Sequence, residues 1–445
     1  MKNFNDIIAN AIIGIDTIWG GDVLNPSGTG RFIADSWFSD QPLPLAYTHP
    51  TAAPVRQSGG VSAKQPDKET FDRYVEAVEL PKTLSDFKGM TAEQQGRRGV
   101  YLTGLAECLD VMWDLALELI GRRDPVPYER CVVASTGSRP EPSNPAPKRE
   151  LLLTRLKECG YAVSSQEELL DAVDKWRSER VVPSASIPAL ANAFIAEFNA
   201  LTTRNLMPYL PSNFAGIPRS NIRFMPIRDA WFSGSMNYLG RARTPDGKPE
   251  FEATYEINSS LQISVPEFQQ LISHEVEPGH VTTFAFLQAL YEEGKIGFEG
   301  TVQTMNTRAA ALSEGIANNA VLIANGVNEI EELGDRDLQI GVLLALLQDD
   351  AKNQSSYLTW KEGWPQEKVA ATLRNDFLVS PERADKLSGA WGRHPLLGRM
   401  YLPAYRAGTE LVAELRRNHP AKDVLPALYG CTGLEDVVTI REAVG

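Results

Sequence analysis

Along most of the chain, apolar residues recur at three- and four-residue spacing, the pattern of a helix with one buried face. It is present over Phe4–Trp19 and Lys68–Val78 and is strongest over Thr91–Arg122. It predicts further helices near Lys148–Glu158, Ser165–Arg180 and Ile187–Thr203. Ser164 to Glu168 has the Ser/Glu order of a helix start. After His280 the pattern is helical almost without a gap: Val302–Ala324, Asp335–Gln354, Gln366–Asn375, Pro381–Trp391, Leu396–Arg417 and Ala421–Leu428. No repeat of fixed period is visible.

Three stretches depart from this pattern. Gly20–Asp67 is rich in Gly, Pro, Ser and Thr and reads as a long irregular segment, laid over the surface or framing a cleft as a lid. Ala134–Pro147, with Gly137 and four prolines, reads as a loop of extended character. The helical patterns on its two sides are alike, so it is an excursion within one helical body rather than a boundary. Ile222–Ile227 and Glu250–Ile263 read as strands separated by a turn at Thr244-Pro245-Asp246-Gly247. In the second, Thr254, Glu256, Asn258 and Ser260 alternate with Ala253, Tyr255 and Ile257. The expected fold is therefore mainly α with a small β element. It forms a single domain over 1–445, in which a helical part (1–205) and a second part (206–445) enclose one cleft.

Composition narrows the partners. A net charge of −13 on 445 residues disfavours nucleic acid and anionic membranes. No run of about 18 uncharged apolar residues occurs, so no membrane span is expected. Asn5, Asp6, Asn10 and Asp16 interrupt the first apolar run, and Lys2 is its only basic residue, which does not describe a secretory signal. Cys108, Cys131, Cys159 and Cys431 form no C-x-x-C pair and read as reduced thiols of a cytoplasmic protein.

The chemistry concentrates in Ser273-His274-Glu275-Val276-Glu277-Pro278-Gly279-His280, which holds two of the five histidines. Paired imidazoles with an adjacent Glu are what a zinc hydrolase requires, the nitrogens to hold the metal and the carboxylate to move a proton. The familiar H-E-x-x-H sets both histidines on one helical face; here two residues are added. In a straight helix six residues turn the second side chain about 240° from the first, and Pro278 would clash with the carbonyl one turn back. The stretch is therefore expected to be helical over Val265–Val276, to break, and to resume as a helix over His280–Tyr291, with the kink bringing the imidazoles together. The other ligand candidates are weighed by context. His49, His394 and His419 each precede a proline and read as structural. Glu314 lies in a run of small and apolar residues, where an unpaired carboxylate needs a cation beside it. Glu277 is the alternative to His280 as a ligand.

The order His274-Glu275-x-x-Pro278-Gly279-His280, Glu314-Gly315 and Tyr405-Arg406-Ala407-Gly408 resembles the bacterial "domain of unknown function 885" family. That family belongs with the thermolysin-like gluzincin metallopeptidases, and the resemblance runs over Phe224–Arg417. It implies a multi-helix metallopeptidase-like architecture with a strand at the cleft edge, where an extended peptide can pair. It implies one Zn²⁺ per chain (another divalent transition metal being an alternative) on His274, His280 and Glu314, with Glu275 as general base. Tyr405 or Asn258 would donate to the oxyanion, and Asn318 and Asn319 would stand behind the ligand. Thr283 replaces the family's Gln, and Ile316, Asn319 and Val321 replace its Trp, Tyr and second Glu. The expected function is zinc-dependent hydrolysis of a peptide or amide bond in a small peptide or amide-containing molecule. Two alternatives are a metal-dependent lyase, hydratase or isomerase acting on a small metabolite, and a binding protein on a metallopeptidase scaffold.

Overall fold

A computed structural model describes residues 3–25, 33–34, 36–227, 234–258, 263–302 and 304–444. The fold is mainly helical, with one three-stranded sheet. Phe4–Ile18 is a helix buried almost throughout, and Gly14 admits Leu80 of a helix over Leu80–Thr91. The long helix expected over Thr91–Arg122 is one element that starts later and ends earlier than expected. Thr91 closes the preceding helix, and this one runs over Gly96–Leu119, opening at Gly96, whose φ of +67° suits glycine.

The Gly/Pro-rich stretch is not a loose lid where it is described. Trp37 packs edge-on against Phe298, Phe38 packs against Tyr238 and Tyr291, and Ala52–Ser58 is helical. Residues 26–32 and 35 of that stretch lie outside the described residues, as do Lys2 and Ser260. The proline-rich excursion before Ala146 lies against the helix Arg336–Ser356. The Ser143 N–H donates to Gln354 Oε1 at 2.8 Å, and Asn353 Nδ2 donates to the Glu141 carbonyl at 3.0 Å.

The sheet has the order β1-β3-β2, with β1 at Ile222–Ile227, β2 at Gly234–Tyr238 and β3 at Ala253–Asn258. β1 runs parallel to β3, from Ile222 opposite Ala253 to Ile227 opposite Asn258. β2 runs antiparallel, from Gly234 opposite Ile257 to Tyr238 opposite Ala253. β2 was not expected, and it corrects the reading of β3. The strand ahead of the His-Glu stretch is central, both its edges are paired, and every residue in it is buried. It has no free edge on which an extended peptide can pair.

The helices Arg308–Asn325 and Leu402–Asn418 cross in close contact. A Cβ on Gly315 would lie 2.3 Å from the Gly408 carbonyl oxygen, and one on Gly408 would lie 1.7 Å from that of Ala311. The two backbones touch at this pair of glycines, which is why Gly follows Glu314 and why Gly stands three residues after Tyr405. Among the described residues no helix is long and apolar enough to cross a membrane.

Candidate metal centre

The helix Val265–Glu275 starts on Ser264, whose Oγ accepts from the Glu267 N–H and donates to the Glu267 carboxylate at 2.7 Å. It stops at Val276, whose backbone leaves the helical region, and the next helix runs over His280–Glu292. The chain folds back on itself in between. The Gly279 N–H donates to the Ser273 carbonyl at 3.0 Å, and a Cβ on Gly279 would lie 1.8 Å from the His274 carbonyl oxygen. Glycine is required by this close approach rather than by its φ. Tyr429 fixes the turn from outside by donating to the Pro278 carbonyl at 2.9 Å.

The break brings the two imidazoles together, with ring centroids 4.8 Å apart and planes at 88°. Glu314 Oε2 completes the group, 3.5 Å from His274 Nε2 and 3.8 Å from His280 Nε2. Zinc bonds of about 2.0–2.1 Å set tetrahedral ligands roughly 3.3–3.4 Å apart, close to the two distances from Glu314 Oε2 to the imidazoles, and Glu275 is a second carboxylate that could hold an ion with the same two histidines. Glu314 is only 6% exposed. Its Oε1 accepts from the Tyr401 hydroxyl at 2.5 Å, while Oε2 has no hydrogen-bond partner among the described residues. Glu314 Oε2 is therefore the orphaned buried atom that a metal would satisfy, and the donor set of two imidazoles and a carboxylate fits zinc.

The protonation states agree with this. Burial, and then the neighbouring His280, push His274 down to about 3, so it is neutral at pH 7, as a ligand must be. Burial alone would raise Glu314, but His280 foremost, then His274 and Lys352, outweigh it and hold the carboxyl at about 2. Ser313 Oγ lies 3.2 Å from His280 Nδ1, so that ring nitrogen is occupied and Nε2 is directed at Glu314. Asn318 hydrogen-bonds His274 and donates to Thr409 Oγ1 at 2.8 Å. Asn319 does not share that role. Its amide serves the Gly315 and Thr409 carbonyls, and its oxygen accepts from Arg416.

Glu275, the last residue of its helix, offers a carboxylate oxygen within 4.8 Å of a nitrogen of each histidine. It lines a cavity of about 130 Å³ together with His274, Tyr255, Lys352, Arg383 and Tyr405. Tyr405 packs edge-on to Tyr401 and carries the Lys352 ammonium 3.2 Å from its ring centroid. Burial, and then the Glu314 charge, raise its phenol well above 10, so it stays a donor. Asn258 is placed differently. It ends β3 on the face shared with Glu256, opposite that of Tyr255, and is not among the described residues lining the cavity. Glu277 is no ligand, because its carboxylate is held by Arg219 Nε at 2.7 Å and by Asn199. His49 bonds Thr51, the His394 ring accepts from the backbone of Leu396 and Leu397, and His419 closes the helix Leu402–Asn418.

Sequence reasoning missed Tyr401, Ser313, Tyr255, Arg383 and Lys352. Ser313 is adjacent to Glu314 and Tyr401 is one turn before Tyr405, so both were within reach. Tyr401, however, ends a π-helical turn, Leu397–Tyr401, that disturbs the helical count. The other three reach the cavity only through tertiary packing.

Among the solved structures similar to this chain, two illustrate the likeness. One is a putative lipoprotein from Colwellia psychrerythraea, with a TM-score of 0.52 and 14% identity, covering 81% of this chain. The other, described as a putative lipoprotein of unknown function, is from Shewanella oneidensis, again with a TM-score of 0.52 and 14% identity, covering 89% of this chain. The chain spans 66% of the first protein's length and 77% of the second's. At this identity the likeness is one of fold. No family model matches the sequence, and no curated protein matches it.

Proposed function

We propose that this protein is a metal-dependent hydrolase cleaving a peptide or amide bond in a small substrate, with zinc held by His274, His280 and Glu314. The observation that carries this reading is Glu314 Oε2, a buried ionised oxygen without a hydrogen-bond partner among the described residues, facing the imidazoles of His274 and His280. A bound divalent ion supplies Lewis acidity, lowering the pKa of water towards roughly 7 and polarising a carbonyl. Glu275 takes a proton from the attacking water and passes it to the leaving nitrogen. Tyr405 donates to the substrate oxygen as that oxygen gains charge, a contribution of about 3 kcal/mol for one well-placed donor. Tyr401 and Ser313 hold Glu314 and His280 in place. The reading includes a reducing, cytoplasmic setting, supported by four free cysteines of which two are buried.

Elemental analysis of wild type beside Glu314→Ala tests the centre, with about one zinc per chain expected in wild type and none in the variant. Small peptides and N-acyl amino acids then test the reaction. Turnover is expected to stop in Glu275→Gln while metal is retained. Wild-type protein that takes up no metal sinks the reading. Turnover of small metabolites without any amide cleavage replaces it with a metal-dependent lyase, hydratase or isomerase.

A further inference from the structure

A second cavity, of about 480 Å³, opens at the C-terminal ends of the two helices that carry Glu314 and Tyr405. Arg416 lies about three turns beyond Tyr405 on the same helix, roughly 16 Å along its axis, so this cavity is separate from the metal centre. Its lining holds Arg204, Arg416 and Arg417 and no Asp or Glu, in a chain whose net charge is −13. Arg416 is 5% exposed. The acceptors it uses are neutral, the Asn319 side-chain oxygen at 3.1 Å and the Val327 carbonyl. They take two of the five N–H donors of a guanidinium. Glu329 and Glu332 act on it only at a distance, and Glu332 is engaged by the N–H groups of Asn328 and Glu329. Burial, the main cause, pushes the guanidinium down to about 10. A full charge taken out of water needs a full counter-charge, and the carbonyls at helix ends carry only a partial one.

The other two arginines stand at the cavity's exposed side. Arg204, in the last turn of the helix Ile187–Asn205, has no hydrogen-bond or ion-pair partner for its side chain among the described residues. The Arg417 side chain is 47% exposed and meets Glu329 only at 3.9 Å, an exposed pair of the kind that contributes little. The helix Ala421–Leu428 begins in the same wall, and its N-cap, Pro420, offers no side-chain acceptor. That end adds the positive pole of a helix, offset in part by Asp423 in its first turn. Tyr209, 42% exposed, and the buried Val424 and Leu425 give the wall an apolar side. The cavity thus joins a cationic face, in which two guanidinium charges lack a carboxylate, to a surface for carbon. Its volume falls in the range of sites for small organic ligands.

We propose that this cavity binds a small organic phosphate, with the dianionic phosphate group among Arg204, Arg416 and Arg417 and the organic part on Tyr209, Val424 and Leu425. Two uncompensated guanidinium charges match a dianion rather than a monoanion, and guanidinium forks pair with the oxygens of a phosphate two at a time. The proposal is independent of the hydrolase reading.

The test is equilibrium binding, by calorimetry at pH 8, of phenylphosphonate and of benzoate to the purified full chain. Phenylphosphonate is doubly ionised there, and its P–C bond is not hydrolysed, so binding is read without turnover. It is expected to bind at least about tenfold more tightly than the monoanion benzoate, in wild type and in Glu314→Ala alike. Arg204→Gln is expected to weaken phenylphosphonate about 10- to 100-fold, the loss of one hydrogen-bonded charge, and Arg416→Gln to abolish its binding. Arg204 is exposed, so its variant decides the matter even if Arg416→Gln does not fold. No binding of phenylphosphonate by wild type, binding no tighter than that of benzoate, or an affinity unchanged in Arg204→Gln overturns the proposal. So does binding that is lost in Glu314→Ala, which would put the phosphonate at the metal centre.

Discussion

Glu277 and Glu314 are both buried carboxylates drawn to the same chain break, and their surroundings are opposite. Glu277, 0% exposed, has a cation built into the chain, Arg219, with Asn199 reaching both of its oxygens. Glu314 has one oxygen clamped by Tyr401 and the other facing the imidazoles of His274 and His280. A buried carboxylate completed by the chain is scaffold, whereas one left facing two imidazoles has an oxygen that a cation from outside would satisfy, as proposed above. Asp16 adds a third case. It is 1% exposed and its Oδ2 also lacks a partner among the described residues, but a Cβ on Gly21 would lie 2.0 Å from its Oδ1, and no imidazole is among its partners. Without room or ligands for a cation, burial pushes its pKa up to about 7, and it neutralises by taking a proton.

The largest effect that tests this contrast is expected at Glu277. Glu277→Gln leaves Arg219 buried without its counter-charge and should lower unfolding free energy by about 3–5 kcal/mol in denaturant titrations, with or without zinc. Glu314→Gln should remove the stabilisation that excess zinc gives wild type, while Glu277→Gln should keep it. Equal loss of the zinc-dependent stabilisation in the two variants would erase the distinction.

Asp16 is expected to come next. Its folded pKa of about 7 exceeds the ordinary 3.8, with burial the main cause and the Asp22 charge assisting against the Ala34 N–H and Arg56. The folded state holds this proton more tightly than the unfolded state does. The contribution is therefore complete below about pH 4 and is lost as pH rises through about 7. Asp16→Asn should flatten stability over that window and stabilise the protein at pH 8 by roughly 2–4 kcal/mol. A variant as pH-dependent as wild type would refute the assignment.

The smallest effect is expected at Tyr401. Tyr401→Phe frees Glu314 Oε1 without removing a ligand, and zinc affinity, measured by competition with a chelator, should fall about 10- to 100-fold. Unchanged affinity would mean that Tyr401 does not position the ligand.

The helical body was legible because its periodicity is long and regular; Lys68–Val78 and Ile187–Thr203 differ from the observed helices by two residues at most. The break at Pro278-Gly279 was legible because a proline and a six-residue histidine spacing exclude a straight helix. Leu80–Thr91 was missed because Pro81, Thr83, Ser85 and Gly89 dilute its apolar face. Tyr128–Thr136 was hidden by Val132, Val133 and Thr136, whose β-branched side chains favour strands. β2 is only five residues long and begins with glycine. The clustering of His274, His280 and Glu314 was readable because metal chemistry, the expectation that singled them out, restricts residue types and spacing. The cavity wall was not, because a lone Tyr, Gly or Arg acquires meaning only from what tertiary packing sets beside it.

The backbone contact of Gly315 with Gly408 divides what can be changed from what cannot. Glu314 and Tyr405 ride on two helices locked at that crossing, and Tyr401 immediately precedes the second. Tyr255, Gly234 and Arg383 stand on the sheet and on a separate short helix. The lining of the cavity beside Glu275 can thus be exchanged residue by residue while the axle on which Glu314 and Tyr405 ride stays still.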